Sequence, residues 1–327
     1  MRNRVRGLAL AVLAVCLGLI LRRRFRRWLI AQRHRLRRGS RRTLTALGTV
    51  EYRQVGAGPV ILLVHGAPGG SDGWRLFAAL AAGYTLLSPS RPGYLRTPLR
   101  SGHTWAKQAD LLAALLDELK LGQVVVLGFS MGGPVALELA RRHPTRVRGL
   151  VLLSAITHPH ALDAPLEEML VGSSWLPHRW QRVLFWLSHR LAYLAPRLAA
   201  YSLLSGAYNG PSVDDCVESL LASRSGKSML HTILDSSVPL GPRQRGYDND
   251  VQQSRRMPPA HLEDIHMPVL ILHSPHDASV PFQHALYAAQ HLPHAKLVSV
   301  SACGHFLMAG EAAEDAVTAI DRFIVSL

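Results

Sequence analysis

Three separated places in this chain carry the residue types that acyl transfer requires. Gly128-Phe129-Ser130-Met131-Gly132-Gly133 sets one hydroxyl among small residues. A serine hydroxyl is a weak nucleophile at neutral pH and needs a base within hydrogen-bond reach. His305, in Cys303-Gly304-His305-Phe306, is the candidate base, singled out from 17 histidines by its position just after the last predicted strand. Such a base needs an acceptor that fixes its tautomer and stabilises the imidazolium that forms. Asp277 is the candidate, directly after a predicted strand at 269–273, although an aspartate there also suits a helix cap. The oxyanion of an acyl transfer requires two N–H donors. The backbone N–H groups of Ala67, in the loop His65-Gly66-Ala67-Pro68-Gly69-Gly70, and of Met131 are the candidates. His65 reads as an organiser of that loop and not as a second base.

These residues meet only if the chain places them at one edge of a sheet. A G-x-S-x-G pattern alone is a weak signal. It gains weight between a strand and a helix, because a tight strand-to-helix turn exposes the serine and crowds its neighbours. The apolar run at 124–127 predicts the strand, and helical spacing over 131–142, stopped before Pro144, predicts the helix. Further strands are expected at 50–54, 60–64, 85–87, 147–153, 269–273 and 297–300, with helices at 105–119, near 281–291 and through Ile324. Strands alternating with helices imply an α/β fold with a mostly parallel sheet and right-handed crossovers. Between about 157 and 266 the apolar pattern is helical without an evident strand, and Trp175, Trp180, Phe185, Trp186, Tyr193, Tyr201 and Tyr208 fall there. The expected organisation is therefore an N-terminal segment (1–42), the first part of an α/β core (43–156), a helical insertion (157–266) and the second part of the core (267–327).

The formal charge of +15 is concentrated at one end. Residues 1–42 hold fourteen arginines and no acid, so 37 less 14 leaves 23 Lys and Arg in the remainder, against all 22 Asp and Glu. No nucleic-acid-binding motif follows the basic arm, so no nucleic-acid partner is expected. An apolar run at 7–21 lies between arginines and predicts an uncleaved membrane anchor, extended at its ends by arginine snorkelling. The larger arginine cluster then sets the body on the cytoplasmic side. Trp28, Leu29 and Ile30 among arginines suit an interfacial helix against anionic lipid. Cys16, Cys216 and Cys303 show no paired spacing, so reduced thiols are expected. His158 and His160 flank a proline with no ligand partner at a recognised spacing, and neither a metal nor a cofactor is expected.

Taken in order, the HGxPGG loop at 65–70, the turn Arg91-Pro92-Gly93-Tyr94, the elbow at 128–133, and the elements around Asp277 and His305 resemble those of the α/β-hydrolase superfamily. The resemblance runs from about Val50 to the C-terminus, and the chain order Ser, Asp, His is the one such a sheet implies. The family pattern usually has Asp and Gly where this chain has Ser90 and Leu95. Related dehalogenases and epoxide hydrolases use an Asp nucleophile, so Ser130 argues against both. The resemblance implies that the helical insertion is a cap that shapes the substrate pocket. Its aromatic content points to an apolar acyl or alkyl group, and hence to carboxylic ester hydrolysis. An aminopeptidase resembling proline iminopeptidases is the second reading, with Glu167, Glu168 and Glu218 as candidates to hold a substrate ammonium. A catalytically silent, membrane-tethered scaffold is the third.

Overall fold

The structure is a computed structural model that describes residues 2–159, 177–257, 261–310 and 312–327. Eight strands form one sheet: β1 (Arg41–Thr45), β2 (Gly48–Val55), β3 (Val60–Val64), β4 (Thr85–Pro89), β5 (Val124–Phe129), β6 (Val147–Leu153), β7 (Val269–His273) and β8 (Ala295–Ser299). Their spatial order is β1-β2-β4-β3-β5-β6-β7-β8. β2 pairs antiparallel with β1 and β4, and every other pairing is parallel. The central strands read as unbroken apolar runs because both of their faces are covered. Leu62, Val64 and Val126 pack with α2 (Trp105–Glu118), α3 (Gly133–Arg142) and α9 (Gln283–His291). The alternate residues Ile61, Leu63 and Val125 pack on the other face, against Leu76, Phe77 and α10 (Ala312–Val325).

The sheet reaches further toward the N-terminus than periodicity alone indicates. β1 begins at the end of the basic segment, where Arg41 and Arg42 hide the strand pattern. It is an edge strand, and its exposed charges discourage pairing with another chain.

Helix α1 (Arg2–Arg37) corrects the expectation of a membrane anchor. Among the described residues no helix is long and apolar enough to cross a membrane. The run at 7–21 spans only about 22 Å at 1.5 Å per residue, against a hydrocarbon core of about 30 Å. The expected span, and the cytoplasmic orientation drawn from it, therefore have no support. The second half of α1 presents Phe25, Trp28, Leu29, Gln32, Arg35 and Leu36 at helical spacing, and this face is shielded by the body. Phe25 meets Trp186 edge-on at 5.5 Å, and Trp28 lies 5.7 Å from the ring of His189. Arg35 bonds Asp72 at 3.3 Å and the carbonyls of Asp235 and Val238 at 2.9 Å each. Arg53 on β2 bonds the carbonyls of Leu36 (2.7 Å) and Arg38 (2.6 Å). Protein therefore takes the place expected for lipid at Trp28 and Leu29, while Ile30 stays exposed.

Between β6 and β7 every described helix or strand is helical: α4 (His178–Leu194), α5 (Pro196–Ser205), α6 (Val213–Ala222), α7 (Arg224–Ser237) and α8 (Gln244–Ser254), followed by one short 3-10 turn. Ala200, Leu204, Val217, Leu220 and Leu230 form their own small core. His160, Glu167, Glu168 and Trp175 lie outside the described residues. The expectation of reduced cysteines is overturned at two of the three positions, since Cys216 on α6 and Cys303 form a disulfide. No local spacing announces this pair. The two are 87 residues apart, and only the seating of α6 beside the His305 loop brings their Cα atoms to 5.6 Å. Cys16 is free and exposed. Thiol titration in denaturant should count one free thiol without reductant and three with it. Cys216→Ser should lower stability by about 2 to 4 kcal/mol; three thiols without reductant would contradict the bond.

Candidate active site

β5 ends at Phe129, and the chain turns sharply through Ser130 into α3. Ser130 adopts φ +53°, a left-handed conformation that costs an L-residue roughly 1 to 2 kcal/mol. Non-glycine residues are held in such conformations where the surroundings over-determine them, often at functional sites. Here the surroundings are tight. A side chain at Gly132 would collide with the carbonyl oxygen of Val64, and a Cβ at Gly66 would sit 2.8 Å from the Cβ of Ser130. The small residues around the serine are therefore a steric requirement of the turn.

Asp277 follows β7 and is fully buried. Its Oδ1 accepts from the backbone N–H groups of Ser279 (2.9 Å) and Val280 (2.8 Å), while Oδ2 accepts from Nδ1 of His305 at 2.8 Å. Asp277 does not cap the following helix, whose N-cap is Phe282 without a side-chain bond; Oδ1 instead fixes the turn after β7 while Oδ2 orients His305. His273 lies with Nε2 3.4 Å from the same Oδ2 and donates to the Val280 carbonyl at 2.8 Å. Burial alone would raise the Asp277 pKa, but the charge of His305 and hydrogen bonds from His273 and His305 outweigh it and hold the carboxyl well below the usual carboxylate range. The resulting stabilisation is present above the ordinary carboxylate pKa and is lost as pH falls below it. With Nδ1–H given to Asp277, Nε2 of a neutral His305 is left as the acceptor. The His305 backbone N–H bonds the Ala207 carbonyl (3.1 Å), which also accepts from Ala278 (3.3 Å), so a segment from the helical insertion ties both loops together.

The loop 65–70 is fixed by buried charge. His65 donates from Nδ1 to the Gly66 carbonyl (2.7 Å) and accepts at Nε2 from the N–H of Arg91 (3.0 Å). Burial, aided by the charge of Arg91, pushes the His65 pKa well down, so the ring is neutral and both nitrogens are engaged. Arg243 from the insertion bonds the Gly69 carbonyl (2.6 Å) and both oxygens of Asp72 (3.0 and 2.8 Å). Arg91 makes a buried bidentate pair with Asp250 on α8, which also accepts from Tyr94 Oη at 2.6 Å. Ser90 fills its position by accepting from the N–H of Ser71 (2.9 Å) and donating to Glu51 (3.3 Å). Leu95 adopts φ +49°, the conformation glycine supplies without strain.

Ser130, His305 and Ala67 line one cavity of about 550 Å³. The Met131 side chain packs behind it in a small cluster with Ile156 and Val280, against which Ala67 also packs. The walls are largely apolar, with Phe77, Phe129 and Phe306 beside the sheet and Leu184, Leu191 and Leu203 from the insertion. Among the described lining residues there is no Asp, Glu, Lys or Arg. Glu218 is elsewhere, exposed and paired with Arg197 at 3.3 Å. Among the described residues no group of three potential ligands could hold a metal ion.

A family model for the alpha/beta hydrolase fold matches residues 59–312, and the chain belongs to that family. It is 30% identical over 289 residues to an uncharacterized hydrolase of Bacillus subtilis, YcgS, covering 85% of this chain and 96% of the relative. It is 32% identical to a pimeloyl-[acyl-carrier protein] methyl ester esterase of Aromatoleum aromaticum, covering 76% and 91% of the two chains. Among solved structures, an alpha/beta hydrolase fold protein from Nakamurella multipartita superposes with a TM-score of 0.77 at 30% identity, covering 87% and 98%.

Arg243, Asp72, Asp250, His273 and Arg35 support this site, and no local sequence pattern marks any of them as part of it. Only Arg91 had a signal, as part of the Arg-Pro-Gly-Tyr turn. Asp250→Ala should lower stability by about 3 to 5 kcal/mol, because it strands a buried guanidinium. Denaturant unfolding measures the change, and a loss under about 1 kcal/mol would show that the pair is solvated.

Proposed function

We propose that this chain is a serine hydrolase that cleaves carboxylic esters carrying an apolar acyl or alkyl group. In this reading Nε2 of His305 takes the proton of Ser130 as Oγ attacks the ester carbonyl. The backbone N–H groups of Ala67 and Met131 receive the oxyanion, assisted by the N-terminal end of α3. His305 then protonates the departing alkoxide, and water activated by the same ring releases the acid. Asp277 stays ionised throughout and stabilises the imidazolium.

One observation carries this reading. Ser130 and the Asp277-bonded His305 open onto a single cavity whose described walls are apolar and carry neither a carboxylate nor a cation. An aminopeptidase must hold a substrate ammonium, and Glu218 is not at the cavity, which favours the ester. That one relative is a methyl ester esterase agrees with the same choice. The division of the body into a core (43–156 and 267–327) and a helical cap at about 157–266 belongs to this proposal, with the cap as substrate wall.

A fluorophosphonate probe should label the wild-type protein and not Ser130→Ala; equal labelling of both would reject Ser130 as nucleophile. In a panel of p-nitrophenyl alkanoates and proline-aminoacyl amides, only the esters should turn over, and turnover of the amides alone would reject the ester reading. Asp277→Asn should lower kcat by about 10⁴ while leaving a folded protein, because the amide stabilises the wrong imidazole tautomer. A loss below about tenfold would remove Asp277 from the mechanism.

A further inference from the structure

One covalent bond joins the insertion to the loop that carries the proposed base. Cys303 lies two residues before His305, and its partner Cys216 stands on α6. The same loop is gripped a second time at His305, whose backbone N–H donates to the Ala207 carbonyl at 3.1 Å. Gly304, between the two points, adopts φ +79°, and a Cβ there would collide with that carbonyl, so loop and insertion meet backbone to backbone. The segment leading into α6 also engages the Asp277 loop. The Asn209 N–H donates to the His276 carbonyl at 3.1 Å, and Tyr208 forms an antiparallel bridge with Asp277. Residues 207–216 therefore set the His305 loop against the Asp277 loop, and the disulfide fastens one end of that clamp.

The bond is reachable from water. Both cysteines line a second cavity of about 320 Å³, beside the catalytic one, and Phe306 and Ile233 line both. The exposed residues Pro211, Asp215 and Ser301 belong to its wall, and Cys303 is the more exposed of the two cysteines. Thiol–disulfide exchange needs such access, because a thiolate must approach one of the sulfurs. The thiolate of a small dithiol attacks Sγ of Cys303 and displaces Cys216, which takes a proton from water. The second thiol of the reductant gives its proton to water and attacks the mixed disulfide, and Cys303 leaves and is protonated in turn. The protein ends with two thiols, and the reductant, having supplied two electrons, leaves as a cyclic disulfide. The His305 loop then keeps its hydrogen bond to the insertion, which is weak in net terms, but has no covalent tie.

We propose that Cys303 is a positioning residue for His305, and that the disulfide makes activity depend on redox state: high with the bond intact, low once a dithiol has opened it. The proposal rests on the serine-hydrolase reading and adds regulation to it. A small misplacement of a reacting group lowers the rate steeply. Among the described residues α6 contributes nothing to the wall of the catalytic cavity, so opening the bond acts on the base and not on the substrate contacts. The loss therefore falls on kcat and not on KM. Such a bond persists in oxidising compartments and opens in reducing ones, so the reaction is favoured in the former.

The test uses Cys16→Ser protein, in which Cys216 and Cys303 are the remaining cysteines. Turnover of a p-nitrophenyl ester, the rate of fluorophosphonate labelling at Ser130 and the number of alkylatable thiols are followed together, first as dithiothreitol is added and then as oxidised dithiothreitol replaces it. As the two thiols appear, kcat and the labelling rate should fall together by about tenfold or more, with KM changed by less than about twofold. Both rates should return on reoxidation. In the same background, Cys216→Val combined with Cys303→Ala should show the lowered kcat and ignore dithiothreitol. Circular dichroism reports whether each form is folded. An unchanged kcat in folded, fully reduced protein overturns the proposal, as does a loss carried by KM alone or an undiminished rate in the double variant. Unfolding of both disulfide-free forms also overturns it, because the bond then serves folding alone. Failure of the serine-hydrolase reading would show separately, as absent ester turnover and absent labelling of Ser130 in the oxidised protein.

Discussion

A carboxylate removed from water and yet kept ionised governs the geometry of this site. Asp277 remains charged because four groups turn toward it: two backbone N–H groups, the imidazole of His305 and the imidazole of His273. Each contact also has a structural consequence. The N–H groups shape the turn after β7, His273 fastens that turn to its strand, and His305 receives a fixed tautomer. Removing the charge would loosen two loops and unset one ring together.

The opposite side of the cavity is held by buried arginines. Arg91 and Arg243 reach the loop at 65–70 from two directions, and both pair with aspartates that are themselves buried. Such pairs are expensive to desolvate and add little net stability over a well-packed apolar core. What they supply here is position. Arg243 and Asp250 both come from the helical insertion, so the insertion and the core cannot shift independently without breaking a buried ion pair. Arg35 extends the same cluster to α1, which makes the N-terminal helix part of the cavity's support.

The parts of this arrangement that periodicity can encode were legible. Buried strands read as apolar runs, the helical insertion as a change of rhythm, and Ser130, Asp277 and His305 as residues at strand ends. The missing parts depend on contacts between distant segments, which leave no local trace. Cys216 and Cys303 look unrelated until α6 is seated, and Asp250 sits in a polar helix with nothing to mark it. The N-terminal helix misled for a different reason. The run at 7–21 is too short to cross a bilayer and its described side chains stay exposed, whereas the contacts that tie α1 to the body come from Trp28 and Arg35 in its second half, which composition does not mark.

The central claim is that Ser130 carries the acyl group during turnover. Rapid acid quenching of the protein mixed with p-nitrophenyl acetate, followed by peptide mapping by mass spectrometry, would read this directly. An acetyl adduct confined to Ser130, forming and decaying at rates consistent with turnover, is the predicted result. Turnover with no adduct, or with an adduct on another residue, would contradict the account.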